Sequence, residues 1–209
     1  MAFFSIAEVI DALIMTAILG FLFQDAFRYR TTHDYLAHTR KTASWNDFLF
    51  AAAIIAPSII LHELGHKFTA IAFGHHATFF GACTIQQGIS GLTSFPCFLM
   101  AAAIAMKLAG ASILFFIPAY VAYTSQATPL QSALIALAGP LVNLLLWTTP
   151  QLLLRYNPSW WHSLQPKTQQ GLILLARINL FLFVFNILPI PGFDGYWVLT
   201  NLFKLVLSA

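Results

Sequence analysis

The sequence predicts an all-α polytopic membrane protein of five to six transmembrane helices, and three observations carry that prediction. Hydrophobic residues make up 59% of the 209-residue chain and charged residues only 8%, against roughly 25% charge in an ordinary soluble domain. Mean hydropathy is +0.76. The apolar residues also gather into stretches long enough to cross about 30 Å of hydrocarbon. A net charge of +3 arises from few residues, and Arg28, Arg30, Arg40 and Lys41 share one loop. No basic stripe of the kind that binds nucleic acid is present, and the lipid bilayer is the expected surrounding.

Residues 1–209 read as a single membrane-embedded domain. The first helix covers about 3–27 and carries Glu8 and Asp11 one turn apart, so part of it faces protein, water or the interface. It lacks a basic leader and a small-residue cleavage site, which argues against a removable signal peptide. Arg28 to Asn46 is polar, includes His33 and His38, and reads as an extramembrane loop. The second helix, about 47–73, leads from an apolar run into His62, Glu63 and His66 at membrane depth.

From 74 to 96 the chain turns to Gly, Thr, Ser, Gln and aromatic residues, which suits a short irregular or β-like membrane-associated segment. Such backbone survives at depth only when packed against protein or water. An additional apolar segment follows at 98–123, interrupted by Lys107, Gly110 and Pro118. Pro129 opens a helix over 130–154 that holds Gly139, Pro140 and Asn143. The connection from Arg155 to Lys167, with Trp160 and Trp161, reads as interfacial. The last apolar region, 170–208, contains Pro189, Pro191 and Gly192, and two nearby prolines break a helix there. Cys83 and Cys97 are too few for a disulfide framework and read as small buried residues.

His62-Glu63-Leu64-Gly65-His66 is the H-E-x-x-H pattern. On a helix its histidines are separated by about 400° of rotation and about 6 Å of rise, so both imidazoles reach one metal ion. Glu63, offset by one residue, lies where it can take a proton from metal-bound water. Stray polar residues in a buried helix are the plainer explanation, but an acid in a bilayer-spanning helix costs about 2.5 kcal/mol or more unless paired or hydrated.

Catalytic zinc takes three protein ligands and leaves one position for water. Thr69 and Ala72 stand where the metzincin pattern needs glycine and histidine, and no glutamate follows Glu63. The only acidic residue after Glu63 is Asp194, just past the broken-helix segment, which makes it the leading third ligand. Its plainer role would be to cap the helix beginning at Gly195 or Tyr196. His75 and His76 are weaker candidates, better read as loop or interfacial histidines, and His33, His38 and His162 lie in polar loops.

Three motifs together resemble those of the site-2 proteases, intramembrane zinc metalloproteases. They are His62-Glu63-x-x-His66, Gly139-Pro140-x-x-Asn143, and Asn186-x-x-Pro189-x-Pro191-x-x-Asp194-Gly195. The resemblance implies a three-helix zinc-protease core that binds one Zn2+ per chain through His62, His66 and Asp194, with Glu63 activating water. It also implies that Asn143 and Asn186 lie near the site and contact the substrate backbone or its oxyanion; helix-to-helix hydrogen bonds are an equal alternative for both. With no segment that reads as a PDZ or other regulatory domain, the chain resembles a minimal form of the family.

The implied function is zinc endopeptidase cleavage within transmembrane segments of membrane-protein substrates, in regulated intramembrane proteolysis by a multi-pass protein of the cell membrane. The alternative is a non-catalytic zinc-binding membrane protein that binds or organises transmembrane helices. A metal transporter would need acids and histidines at successive depths, and the chain offers one cluster. The basic residues at 28–41 would put the first loop in the cytoplasm, whereas the family arrangement puts it outside; the family arrangement is preferred.

Overall fold

The structure is a computed structural model that describes residues 4–26, 44–110, 119–123 and 127–207. Arg28, Arg30, His33, His38, Arg40 and Lys41 therefore lie outside the described residues, as does the 111–118 part of the additional apolar segment. The elements are α1 (Ile6–Phe23), α2 (Trp45–Ala72), β1 (Ala77–Gly81), α3 (Ile89–Leu92), α4 (Phe95–Leu108), β2 (Ala119–Tyr123), α5 (Pro129–Tyr156), α6 (Pro158–Ser163), α7 (Pro166–Asn186) and α8 (Asp194–Leu207).

Four of these helices, α1, α2, α5 and α7, are long and apolar enough to cross a membrane, where the sequence predicts five to six. The protein is an integral, mostly helical membrane protein, and its described residues include one two-stranded sheet, β1 paired with β2. The count of four is of the described residues, which at 98–123 leave out 111–118. There α4 has only 14 residues, about 21 Å of helix and short of the roughly 30 Å hydrocarbon core. It stops at Leu108, and Gly110 follows with φ +82°, a left-handed turn that glycine adopts without strain.

Local sequence explains where the helices begin. Ser5 and Glu8 form a reciprocal capping box, Glu8 N–H donating to Ser5 Oγ at 3.2 Å and Ser5 N–H to Glu8 Oε2 at 2.7 Å, which gives this early acid a structural use. Thr128 and Gln131 do the same for α5, with Pro129 in the first turn, where its missing N–H costs nothing. Ser94 caps α4 by accepting from Cys97 N–H at 3.3 Å.

The chain divides into two compact units. One comprises Met1–Pro57, Phe80–Ala119 and Gln165–Leu172. Its core gathers Leu22, Ala82, Met100 and Ala103. Asp11 is buried beside that core and accepts from Gly81 N–H at 3.3 Å, Ile85 N–H at 3.4 Å, Gln86 Nε2 at 2.7 Å and the Thr84 hydroxyl. Cys83 and Cys97 form a disulfide, correcting the expectation of two separate buried thiols. The cap at Ser94 sets the start of α4, so Cys97 sits in its first turn within bonding reach of the chain leaving β1.

The other unit comprises Ser58–Phe79, Tyr120–Leu164 and Ile173–Ala209. In it α8 packs along α5. A Cβ at Gly65 would lie 2.9 Å from Val142 Cγ2 and 3.0 Å from Ala138 O, so the glycine lets the motif turn of α2 come against the backbone of α5. The connection Arg155 to Lys167 is not open loop, because Asn157 caps α6 and Trp161 is buried. Between α7 and α8 the chain leaves the helix across Pro189 and Pro191, with Gly192 at φ +101°. Gly195 then packs on the carbonyl of Ile187, where any Cβ would collide. That tight return presents Asp194 as the first residue of α8.

Candidate metal centre

His62 and His66 stand one turn apart on α2 and are both buried. Their rings meet nearly edge to face at 83°, with centroids 4.7 Å apart, so the two Nε2 atoms converge at 3.1 Å. Asp194 closes the triangle, its Oδ2 lying 3.1 Å from His62 Nε2 and its Oδ1 3.4 Å from His66 Nε2. Two ligand atoms bound to one tetrahedral zinc at about 2.05 Å stand about 3.3 Å apart. All three separations have that size. Among the described residues these three form the one cluster of His, Cys, Asp or Glu close enough to share a metal ion.

The hydrogen bonds behind the rings decide what the Nε2 atoms present. His66 Nδ1 lies 2.7 Å from the carbonyl of Ile135, which can only accept, so Nδ1 carries the hydrogen. His62 Nδ1 donates to Asn143 Oδ1. That amide orientation follows because Asn143 Nδ2 donates to the Ser58 carbonyl at 3.2 Å and to Asn179 Oδ1 at 2.7 Å. In the neutral rings both Nε2 atoms therefore offer lone pairs, aimed at a carboxylate. A proton could relieve one pair of these atoms; a divalent cation relieves all three, and the donor set suits zinc.

Gly139 completes the pocket from α5. A Cβ there would lie 2.6 Å from His62 Nε2 and would collide with His66 Nε2 and Cε1, so only glycine leaves room at the point where the ligand atoms meet. Glu63 is buried next to the cluster and interacts electrostatically with His62, His66 and Asp194.

The Asp194 carboxylate is turned to the imidazoles and not to the start of α8 as a helix cap. His75 contacts Gln131 Oε1 at 3.3 Å and the ring of Tyr123, His76 is exposed, and neither belongs to the cluster. Asn143 is beside the site as expected, but both hydrogens of its amide are engaged, which leaves none for a substrate oxyanion. Asn186 ends α7 half-buried and makes no side-chain hydrogen bond among the described residues. Ser58 and Asn179 were not anticipated. Lone polar residues at positions four before His62 and seven before Asn186, each on the face of a motif residue, were the available signal.

Residues 50–158 match peptidase family M50, a stretch that includes His62, Glu63, His66, Gly139 and Asn143 and ends before Asn186 and Asp194. Rip2 of Mycolicibacterium smegmatis, named a candidate zinc metalloprotease, is 32% identical over 153 residues, covering 73% of this chain and 56% of its own. Rip2 of Mycobacterium tuberculosis is 35% identical over 143 residues, 66% of this chain and 51% of its own. A candidate zinc metalloprotease of Methanocaldococcus jannaschii is 30% identical over 156 residues, 73% of this chain and 70% of its own. The chain spans about half the length of the two Rip2 proteins. No solved structure gives a significant match.

Proposed function

Because the chain belongs to peptidase family M50, the site-2 protease family, we propose that it is a zinc endopeptidase that hydrolyses peptide bonds in transmembrane segments of membrane-protein substrates. The observation that carries this reading is the convergence of His62 Nε2, His66 Nε2 and the Asp194 carboxylate from two helices, the two nitrogens 3.1 Å apart and each met by one carboxylate oxygen at 3.1 or 3.4 Å. These three side chains would hold one zinc per chain. When bound, zinc polarises the scissile carbonyl and brings the pKa of water to about 7.

Glu63 is the general base. Its carboxylate, buried beside the ligands, takes the proton from the attacking water and returns it to the departing amine. Asn143 serves by holding His62. Asn186, with its amide free of other described partners at the end of α7, is the residue to hydrogen-bond the substrate backbone or the oxyanion. A substrate helix must unwind to be cut, because its peptide groups are otherwise tied up in their own hydrogen bonds.

Purified protein in detergent, assayed for zinc content and for cleavage of a model transmembrane peptide, tests the proposal. Glu63→Gln should keep stoichiometric zinc and lose cleavage by about 100-fold to 10,000-fold, whereas Asp194→Ala should lose zinc as well. Cleavage by Glu63→Gln at the unsubstituted rate would refute the general-base role. Zinc uptake without cleavage by the unsubstituted protein would favour a non-catalytic zinc-binding protein instead.

A further inference from the structure

Behind His62 runs a chain of buried amides whose far end touches no ligand. Asn143 donates its two Nδ2 hydrogens to the Ser58 carbonyl and to Asn179 Oδ1. Asn179 donates its own two to Ser58 Oγ and to the Leu175 carbonyl, both at 2.8 Å. Ser58, Asn143 and Asn179 are all 0% exposed, so water cannot stand in for any of them. The polarity of the relay is fixed, because the carbonyls of Leu175 and Ser58 accept and cannot donate. They force each amide nitrogen toward themselves and each amide oxygen toward the next member, ending with Asn143 Oδ1 on His62 Nδ1.

We propose that Asn179 is a positioning residue of the metal centre, acting through Asn143 to fix the tautomer and ring orientation of His62. The inference rests on the metalloprotease reading and deepens it. Removing Asn179 leaves one Asn143 hydrogen buried without an acceptor and the amide held by the Ser58 carbonyl alone, so the oxygen that holds the hydrogen on His62 Nδ1 loses one of its two supports. The His62 ring is then held less firmly, and its neutral form is no longer confined to the tautomer whose Nε2 lone pair faces the place of the metal.

The test uses full-length protein in detergent, stripped of zinc and titrated with zinc against a chromophoric chelator, together with 15N spectra of its histidine rings in the zinc-free state. Asn179→Leu, close in volume and without hydrogen-bonding groups, should bind zinc about tenfold more weakly and should show the His62 ring hydrogen divided between Nδ1 and Nε2 where the unsubstituted protein holds it on Nδ1. Asn179→Ser, smaller and still too short to reach Asn143, answers the same question if the leucine variant does not fold. Asn201→Leu is the control for loss of a buried asparagine, since Asn201 is bonded within its own helix to the Trp197 carbonyl. It should alter neither reading.

Zinc affinity of the Asn179 variants within about twofold of the unsubstituted protein, or an equal weakening in Asn201→Leu, would overturn the inference and leave the metalloprotease reading standing. Unsubstituted protein that takes up no zinc would overturn both.

Discussion

Replacing Gly139 by alanine sets helix propensity against the geometry of the site. Gly139 lies inside α5, where propensity alone makes alanine better than glycine by about 0.8–1.0 kcal/mol. The structure predicts the opposite sign. The new methyl carbon would sit 2.6 Å from His62 Nε2 and closer still to His66, about 0.8 Å or more inside ordinary van der Waals contact. The rings cannot simply swing away, since His62 is bonded to Asn143 and His66 to the Ile135 carbonyl. Displacing both leaves buried polar groups unpaired at about 1–3 kcal/mol each, so the net effect is a loss of about 1–5 kcal/mol after the propensity gain. Zinc affinity should fall by about 100-fold or more, because both rings lose the bond that orients them. Chelator competition measures the affinity, and thermal unfolding of the zinc-free protein measures the stability. Gly171→Ala provides the comparison, since a Cβ there comes no nearer than 3.6 Å to Phe50 and should stabilise by up to about 1 kcal/mol. Normal zinc affinity in Gly139→Ala, with stability raised as in Gly171→Ala, would refute the reasoning.

Two further outcomes concern the first unit. Asp11→Ala removes the acceptor shared by Gly81, Thr84, Ile85 and Gln86 and should cost about 1–3 kcal/mol for each donor left buried and unpaired, measured as thermal stability in detergent; a total change below about 1 kcal/mol would show that these donors find other partners. The Cys83–Cys97 disulfide predicts that alkylation of denatured, unreduced protein labels neither cysteine. Its reduction should cost about 3 kcal/mol, as for a closed loop of this size, and two alkylated thiols before reduction would contradict the pairing.

What the sequence discloses depends on whether a residue's role repeats along one element or is completed across the chain. His62, Glu63 and His66 are legible because the helical period alone puts both imidazoles on one face. Asp194 is legible by a different route, as the sole later acid placed just past two prolines that must break a helix. Asn143 is visible as a polar residue in an apolar helix, yet its work depends on which partners reach it. The structure turns its amide oxygen toward His62. Asn179 and Ser58 share helix faces with Asn186 and His62, but the hydrogen bond that joins them links positions 121 residues apart, and no period along one helix discloses it. The disulfide was hidden for the same reason. Two cysteines in apolar surroundings look alike whether paired or free until the cap at Ser94 fixes where Cys97 stands.

Two buried carboxylates in this chain show why one position is structural and the other is reactive. Asp11 sits in a mostly apolar first helix and is surrounded by donors: two backbone N–H groups, a side-chain amide and a hydroxyl. Its charge is answered within the protein, so the group acts as a clamp on residues 81–86 and has no further capacity to bind. Asp194 faces the reverse situation. Among the described residues its carboxylate meets only the two Nε2 atoms, and the bonds from each Nδ1 make those atoms acceptors in the neutral rings. Two imidazole nitrogens from α2 and a carboxylate from α8, in contact at 3.1–3.4 Å, repel one another until a cation lies between them. The folding energy that holds them there is supplied by the buried relay behind His62, the Ile135 carbonyl behind His66 and the packed Gly195 turn. A site of this kind is set for metal before metal arrives, and its affinity is governed as much by those supports as by the ligands themselves.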